Sequence, residues 1–309
     1  MGTPDLAVTI LDKMIKSDHE IIAVVTQPDK KKGRGKLLSP PPVKELALKH
    51  GLPVYQPKKV RDQEFIDEVA RLKPDLIVVA AFGQILSKEL LDLPKHGCIN
   101  VHTSLLPKYR GASPIQYAII DGEEKTGVTI MHMDIGLDTG DIILQKEIDI
   151  SKDETAGTLH DKLANLGADA LLESLDDIES GRAKRIPQDD SKATHVKTLD
   201  KEMGEIDFGE PAIRIERLIR GLNPWPSAYT FIDGKVLKIW RAHVEETESS
   251  SPENVPGEIV EVRKDEIAVI TGQGLLVITE LQLVGKKRMS TGAFLLGYQL
   301  EEGCILGNR

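Results

Sequence analysis

Residues 75–82 read DLIVVAAF: one acid, then seven apolar positions without a polar break. A strand wetted on one face alternates, whereas a continuous run of this kind belongs to a strand buried on both faces. Such burial needs helices above and below the sheet, and the flanking sequence supplies them. Upstream, residues 5–17, 42–50 and 61–72 carry helical patterning. Residues 20–27, EIIAVVTQ, and the short LPVYQP of 52–57 read as extended segments. Downstream, INVH at 99–102 is strand-like, a helix is expected at 113–121, and GVTIMHM (127–133) and DIILQKEIDI (141–150) read as two further strands. A long amphipathic helix spans roughly 155–181. Alternating strands and helices specify an α/β layer with a mostly parallel, Rossmann-like sheet. The opening MGTPD reads as a turn into the first helix, with no strand ahead of it. The expectation is that Met1 is not the natural start.

Near residue 185 the pattern changes. IPQDDSKATHVKTLDKEMGEIDF is polar and aperiodic, which reads as a linker. A helix at about 210–221 follows, and then five short strands: AYTFI, KVLKIWRAHV, GEIVEV, EIAVITG and LLVITELQLV. Turn residues separate them, and ETESSSPENVP (246–256) reads as an exposed loop. Short strands so spaced suggest a small β-barrel of OB-like type. The expected organisation is a first domain at 1–184, a linker at 185–206 and a barrel domain at 207–309.

Composition narrows the classes. The chain has 309 residues, enough for two domains, and 40% of them are hydrophobic, enough for real cores. No apolar run reaches membrane-spanning length, and no charged-then-apolar leader opens the chain. Cys98 and Cys304 stand far apart, with neither metal nor disulfide spacing, which suits two thiols in a reducing cytoplasm. A net charge of −9 argues against a protein that coats nucleic acid. The local field can still differ from the total. KKKGRGK (30–36) places Lys30, Lys31, Lys32, Arg34 and Lys36 together with no acid. Taken alone, that run is an ordinary solvated loop.

Chemistry gathers outside the carboxyl ends of strands in such folds. Asn100 and His102 lie two apart at a strand end and so share a face. Asp138 lies in GLDTG, a glycine-bounded loop between two strands whose ends can neighbour the first. A carboxylate beside an imidazole favours imidazolium, and imidazolium with an Asn amide makes a donor pair for the oxyanion of a tetrahedral intermediate. That combination implies acyl-type transfer to a nucleophile carried by the substrate. Ser104 and Ser113 lack the Gly-x-Ser-x-Gly elbow of an activated serine. Each residue also has a plain role available: Asn as a cap, His as a satisfied core group, GLDTG as a hairpin loop.

NVHTSLLPKYRGASPI followed by TGVTIMHMDIGLDTGDI resembles the folate-dependent formyltransferases, with their Asn, His and Asp triad. His132 departs from the pattern, standing where Gln is common. MGTPDLAV, VVTQPDKKKGRGKLLSPPPVKELA, RGLNPWPSAYT and GKKRMSTGAF extend the resemblance over nearly the whole chain, toward the branch that formylates methionyl-tRNA. The resemblance implies transfer of a formyl group from 10-formyltetrahydrofolate to the methionine amine on initiator tRNA, by a cytoplasmic monomer using no metal. It implies Asn100 and His102 at the oxyanion and Asp138 orienting and charging His102. Phe82, Gly83, Gln84, Ile85 and Leu86, with Ser104, Leu105, Leu106 and Pro107, match the folate-lining loops. For the basic run it implies a tRNA role: Arg34 matches the key arginine, and Lys30, Lys31, Lys32 and Lys36 fall on phosphates. Lys201, Lys286, Lys287 and Arg288 are further expected tRNA contacts. Trp225 and Trp240 are expected to pack inside the barrel.

Three competing readings differ in class. A formyltransferase acting on a nucleotide-sugar or glycinamide ribonucleotide amine would share the triad but has no use for the basic run. A non-catalytic RNA-binding protein would not need an intact triad. A metal hydrolase built on His102, His132 and Asp138 lacks metal-ligand spacing.

Overall fold

The computed structural model describes residues 1–32, 37–246 and 255–307. The chain divides into two compact units. One comprises 1–114, 125–149 and 160–196, and the other 115–124, 150–159 and 197–309.

In the first unit the chain order begins with helix α1 (Asp5–Ile15), β1 (Val24–Val25), a hairpin β2 (Lys30–Lys32) and β3 (Leu37–Ser39), α2 (Pro42–Lys49) and β4 (Val54–Tyr55). Then come α3 (Gln63–Leu72), β5 (Ile77–Val79), α4 (Lys88–Asp92), β6 (Cys98–His102) and β7 (Arg110–Gly111). Helix α5 (Pro114–Ile120), which after Pro114 belongs to the second unit, precedes β8 (Lys125–His132) and β9 (Ile142–Asp149); the long α6 (Ala156–Glu179), in this unit from His160 onward, and β10 (His195–Val196) complete the series.

β5 pairs in parallel with β6, and β8 and β9 add on antiparallel, in the order β5-β6-β8-β9. β1 and β4 form a second parallel pair. Met1 and Gly2 join the two sets. Gly2 N donates to Val25 O at 3.0 Å, Ala80 N donates to Met1 O at 2.9 Å, and Gly2 bridges Ala80 in parallel. The parallel strands with an antiparallel edge are the architecture the sequence pattern implied. Gly2 is needed for close approach, since a Cβ there would lie 2.6 Å from the Ala7 Cβ and 2.9 Å from Ala80 O. The core beneath is apolar, as DLIVVAAF requires. Ile77, Val79 and Phe82 pack with Val25, Phe65, Val69 and Leu90.

The second unit begins its own sheet after α7 (Ala212–Gly221), with β11 (Ala228–Ile232), β12 (Lys235–Glu245), β13 (Ile259–Val262), β14 (Ile267–Ile270), β15 (Leu275–Leu283) and β16 (Met289–Ser290), ending in α8 (Thr291–Leu295). The sheet is antiparallel in the order β11-β12-β15-β14-β13, with β16 on β15. Its two edge strands are spanned by the tail. Ile259 N donates to Cys304 O at 2.8 Å, and Gly307 N donates to Phe231 O at 2.9 Å. The strands and tail enclose one core that includes Ile219, Ile239, Val269, Ile278 and Leu306. Alternation sets which side chains enter it. Leu237 and Ile239 are buried, while Lys238 and Trp240 point the other way.

Two readings are corrected. Trp240 is not a core residue: it is half-buried outside, with Arg288 at 4.7 Å and Lys238 at 5.7 Å from its ring centre. Trp225 is 55% exposed. Over 186–196 the segment expected as a linker is paired to the first unit. Ile186 and Ile142 exchange both backbone hydrogen bonds, and β10 pairs in parallel with β7. Much of the loop expected at 246–256, namely 247–254, lies outside the described residues. Among the described residues no helix is long and apolar enough to cross a membrane.

Candidate active site

The site is built within the first unit, where β5 and β6 end beside the antiparallel β8. Asn100 and His102 share one face of β6, opposite Met131 and Thr129 of β8. Val79, at the end of β5, is the partner of Asn100, so the 80–86 loop leaves the sheet beside that amide. Asn100 is half-buried, and among the described residues no protein group hydrogen-bonds its side chain. Its amide is therefore free to hydrogen-bond a group from outside the protein.

His102 is 6% exposed and held at one ring nitrogen, with a carboxylate facing the other. Nε2 lies 2.9 Å from Tyr109 O, and a carbonyl only accepts, so this nitrogen carries a proton. Nδ1 faces Asp138 Oδ2 at 3.7 Å, an ion-pair distance rather than a direct hydrogen bond. Asp138 is fixed elsewhere: its Oδ2 accepts from Gly111 N at 2.8 Å. Thus the three residues read from the sequence do converge, but the ring is oriented by the Tyr109 carbonyl, with Asp138 as its charged neighbour. Tyr109 and Asp138 both adopt positive φ, 61° and 55°. Such backbone is uncommon outside glycine and marks loops shaped for a task.

Glycines make the loops fit. At Gly111 φ is 116° and a Cβ would sit 2.3 Å from Val196 O, which is what lets β10 run alongside β7. The 104–107 segment is pinned from β8 and β9. Thr129 Oγ1 donates to Ser104 O at 2.7 Å and accepts from Leu106 N at 3.1 Å, and Gln145 Nε2 donates to Leu106 O at 2.9 Å. Ser104 and Leu106 are buried, and Leu105 and Pro107 half-buried. Ser104 Oγ donates to Lys108 O at 2.7 Å. In the 82–86 loop, Phe82 and Leu86 anchor in the core, Gly83 is exposed at φ 78°, and Ile85 is 85% exposed. Gln84 Oε1 accepts from Val60 N at 2.9 Å, and its Nε2 is buried with no partner. An orphaned donor beside Asn100's strand end fits a polar heterocycle or amide of a co-substrate.

His132 is not part of this constellation. It opposes Ile99, so it lies on the other face of the sheet. Burial pushes its imidazole pKa down, Arg185 adds to that, and Asp141 opposes it. The metal trio of His102, His132 and Asp138 is therefore not assembled. The close group His243, Glu245 and Glu266, in the second unit, is bound up with Arg263, whose Nη1 lies 2.6 Å from Glu245 and 3.3 Å from Glu266.

Of the basic run, Lys30 and Lys31 are exposed on the hairpin. The backbone of Lys32 pairs with Leu37, and Arg34 and Lys36 lie outside the described residues. The hairpin's base is anchored by Asp29, which takes Lys44 Nζ at 2.9 Å and Gln56 Nε2 at 2.8 Å. Those bonds, Lys44's first, lower its carboxyl pKa. In the second unit Lys201, Lys286 and Lys287 are exposed. Arg288 is committed to Glu280 by two 2.6 Å bonds and lies over Trp240.

With this geometry in view, the comparisons with known proteins agree. Residues 1–175 match the formyl transferase family model, and residues 198–299 match that of the formyl transferase C-terminal domain. A methionyl-tRNA formyltransferase of Alkaliphilus oremlandii is 53% identical over 99% of this chain and 98% of its own length. That of Clostridioides difficile is 53% identical over the same shares. The chain belongs to the methionyl-tRNA formyltransferase family. Among solved structures, an N-formyltransferase from Helicobacter canadensis, complexed with folinic acid and dTDP-3-aminofucose, shares the fold. It superposes with TM-score 0.67 at 19% identity, covering 93% of this chain and 97% of that one. A sugar 3N-formyltransferase crystallised with dTDP and 5-N-formyl-THF gives TM-score 0.65 at 20% identity, covering 93% and 97%.

Reading the sequence did not single out Tyr109, Thr129 or Gln145, which the structure places against His102 and the 104–107 segment. Tyr109 acts through a backbone carbonyl, which no side-chain pattern announces. Thr129 had a usable signal, a hydroxyl inside the apolar run VTIM.

Proposed function

We propose that the protein transfers the formyl group of 10-formyltetrahydrofolate to the α-amine of methionine esterified to initiator tRNA. The observation that carries the acceptor is full-length identity above half to relatives named for that activity. The observation that supports the chemistry is Asn100 and His102 on one strand face with Asp138 beside the ring.

The donor's formyl carbon would sit at the end of β6, its oxygen toward the Asn100 amide and the His102 Nδ1 side. Attack by the amine converts the carbonyl oxygen to an oxyanion, which Asn100 Nδ2–H and protonated His102 Nδ1 stabilise. Nε2 is already committed to Tyr109 O, so the ring presents Nδ1 alone. Asp138, 3.7 Å from Nδ1, stabilises positive charge on that ring and accepts the ammonium proton through water. Collapse breaks the bond from the formyl carbon to folate N10, which takes up a proton. The 82–86 and 104–107 loops hold the folate, with Gln84 Nε2 as a donor. Lys30, Lys31, Lys32, Arg34 and Lys36 with Lys201, Lys286, Lys287 and Arg288 engage the tRNA backbone, in a monomeric cytoplasmic enzyme whose domains follow 1–184, 185–206 and 207–309. Arg288 contributes there as a residue braced by Glu280.

The test is formyl transfer from 10-formyltetrahydrofolate to methionyl-initiator tRNA, beside His102→Ala and beside dTDP-amino sugars as acceptors. Turnover on tRNA alone, lost in His102→Ala with tRNA binding retained, supports the reading. Turnover on the amino sugar alone refutes the acceptor, and strong turnover in His102→Ala removes that residue from the chemistry.

A further inference from the structure

Asp138 does its proposed work from a strained backbone, and its own carboxylate contacts do not explain how that backbone is held. The explanation lies fifty residues further along the chain. The Gln188 side-chain amide reaches into the loop. Its Nε2 donates to Asp138 O at 2.9 Å and to Gly140 O at 2.8 Å, bracing both sides of the turn that carries the carboxylate. Its Oε1 is in turn gripped by Arg110, from Nε at 3.1 Å and Nη2 at 2.8 Å.

Arg110 is 3% exposed and completes its hydrogen bonding on Asp190 Oδ1 at 2.7 Å. It directly follows Tyr109, whose carbonyl orients His102, and directly precedes Gly111, whose N–H holds Asp138 Oδ2. Its own N–H donates to Thr194 O at 2.8 Å, while Tyr109 N donates to Thr194 Oγ1 at 2.8 Å. One segment, 186–196, therefore touches the backbone on both sides of the His102–Asp138 pair.

We propose that Gln188, gripped by Arg110, is a positioning residue for catalysis: it fixes the Asp138 loop so that the carboxylate stays on His102 Nδ1. This rests on the catalytic reading of Asp138 given above. Two features separate it from ordinary packing. Gln188 is half-buried, and its short hydrogen bonds go to two loop carbonyls and one arginine, with only a 4.0 Å contact from Nε2 to Met131 Sδ besides. A site held by such supporting hydrogen bonds loses rate when reacting groups shift by a fraction of an ångström.

The test is a double-mutant cycle on the full-length enzyme. Gln188→Glu retains the oxygens that Arg110 grips and lacks the donor to the two carbonyls, so it isolates the brace from the fold. Gln188→Met removes both. For each, kcat is expected to fall about 10- to 100-fold while KM for folate and for tRNA changes less than threefold. In an Asp138→Asn background the same changes should add less than threefold, because a residue acting through Asp138 has nothing left to position. Full additivity, or wild-type kcat in Gln188→Glu, overturns the proposal and leaves the catalytic reading standing. Wild-type kcat in Asp138→Asn alone overturns both.

Discussion

Asp138→Asn tests the charge of the site without disturbing its shape. The amide oxygen can still accept from Gly111 N, now at 2.8 Å, so the loop keeps its main tether. What disappears is one negative charge 3.7 Å from His102 Nδ1, between side chains that are 14% and 7% exposed. At an effective dielectric of about 20, two unit charges at that distance attract by about 4.5 kcal/mol. That figure bounds the effect, since an asparagine dipole and entering water restore part of it. If the transition state carries imidazolium next to a developing oxyanion, the barrier rises by about 3 to 4 kcal/mol, a loss of roughly 100- to 1,000-fold in kcat. Single-turnover formyl transfer at saturating folate and tRNA measures it. The two substrates' dissociation constants should stay within threefold, because neither needs the carboxylate for ground-state contact. A kcat within threefold of wild type would refute the reasoning, whatever the distances are.

Other outcomes follow from the same structure. Gly111→Ala forces a Cβ to 2.3 Å from Val196 O at a φ of 116°, so β7 and β10 must part; the stability loss should exceed about 2 kcal/mol in urea unfolding, with kcat falling as well. Burial pushes the Cys98 thiol up to about 12, so at pH 8 iodoacetamide should leave its peptide unlabelled until urea unfolds the first unit, as mass spectrometry would show. Glu245 is held down to about 2, chiefly by its hydrogen bonds to Arg263. A depressed carboxylate contributes its stability above its ordinary pKa, near 4.5, and loses it as pH falls toward 2. Arg263→Ala should therefore lower the urea midpoint at pH 7 and lower it less at pH 3; an equal loss at both pH values would contradict that assignment. Lys30→Glu with Lys31→Glu should weaken tRNA binding and flatten its salt dependence, read by filter binding from 50 to 200 mM salt, and leave folate binding unchanged.

How far the sequence could be read depended on whether a feature was carried by side-chain chemistry or by backbone. DLIVVAAF announced a strand buried on both faces, and β5 is a strand, with Ile77 and Val79 buried on one face and Val78 half-buried on the other. Asn100 and His102 announced a shared face because two residues is the strand period, and Asp138 could be placed because GLDTG sits between two strands that pair. Trp240 was misplaced through residue type, since indole suggests a core. Its register gives the right answer: Leu237 and Ile239 take the inner face, so Lys238 and Trp240 must take the outer one. The tail's hydrogen bonds to the two edge strands β13 and β11 were not legible, because that tail is a short segment rich in glycine and turns.

The segment 186–196 was least legible, and the reason is physical rather than a lack of signal. Its residues are polar because its partners are polar: carbonyls at 107, 138 and 140, and the guanidinium of Arg110. A hydrophobic pattern reports burial against a core. It has nothing to report where a chain binds by hydrogen bonds to loops that positive-φ residues have left with exposed carbonyls. Such loops cannot satisfy their own backbone, so something must come from elsewhere in the chain to do it. An aperiodic polar stretch following an α/β domain with loop-borne catalytic residues should therefore be examined as a candidate brace before it is read as a tether.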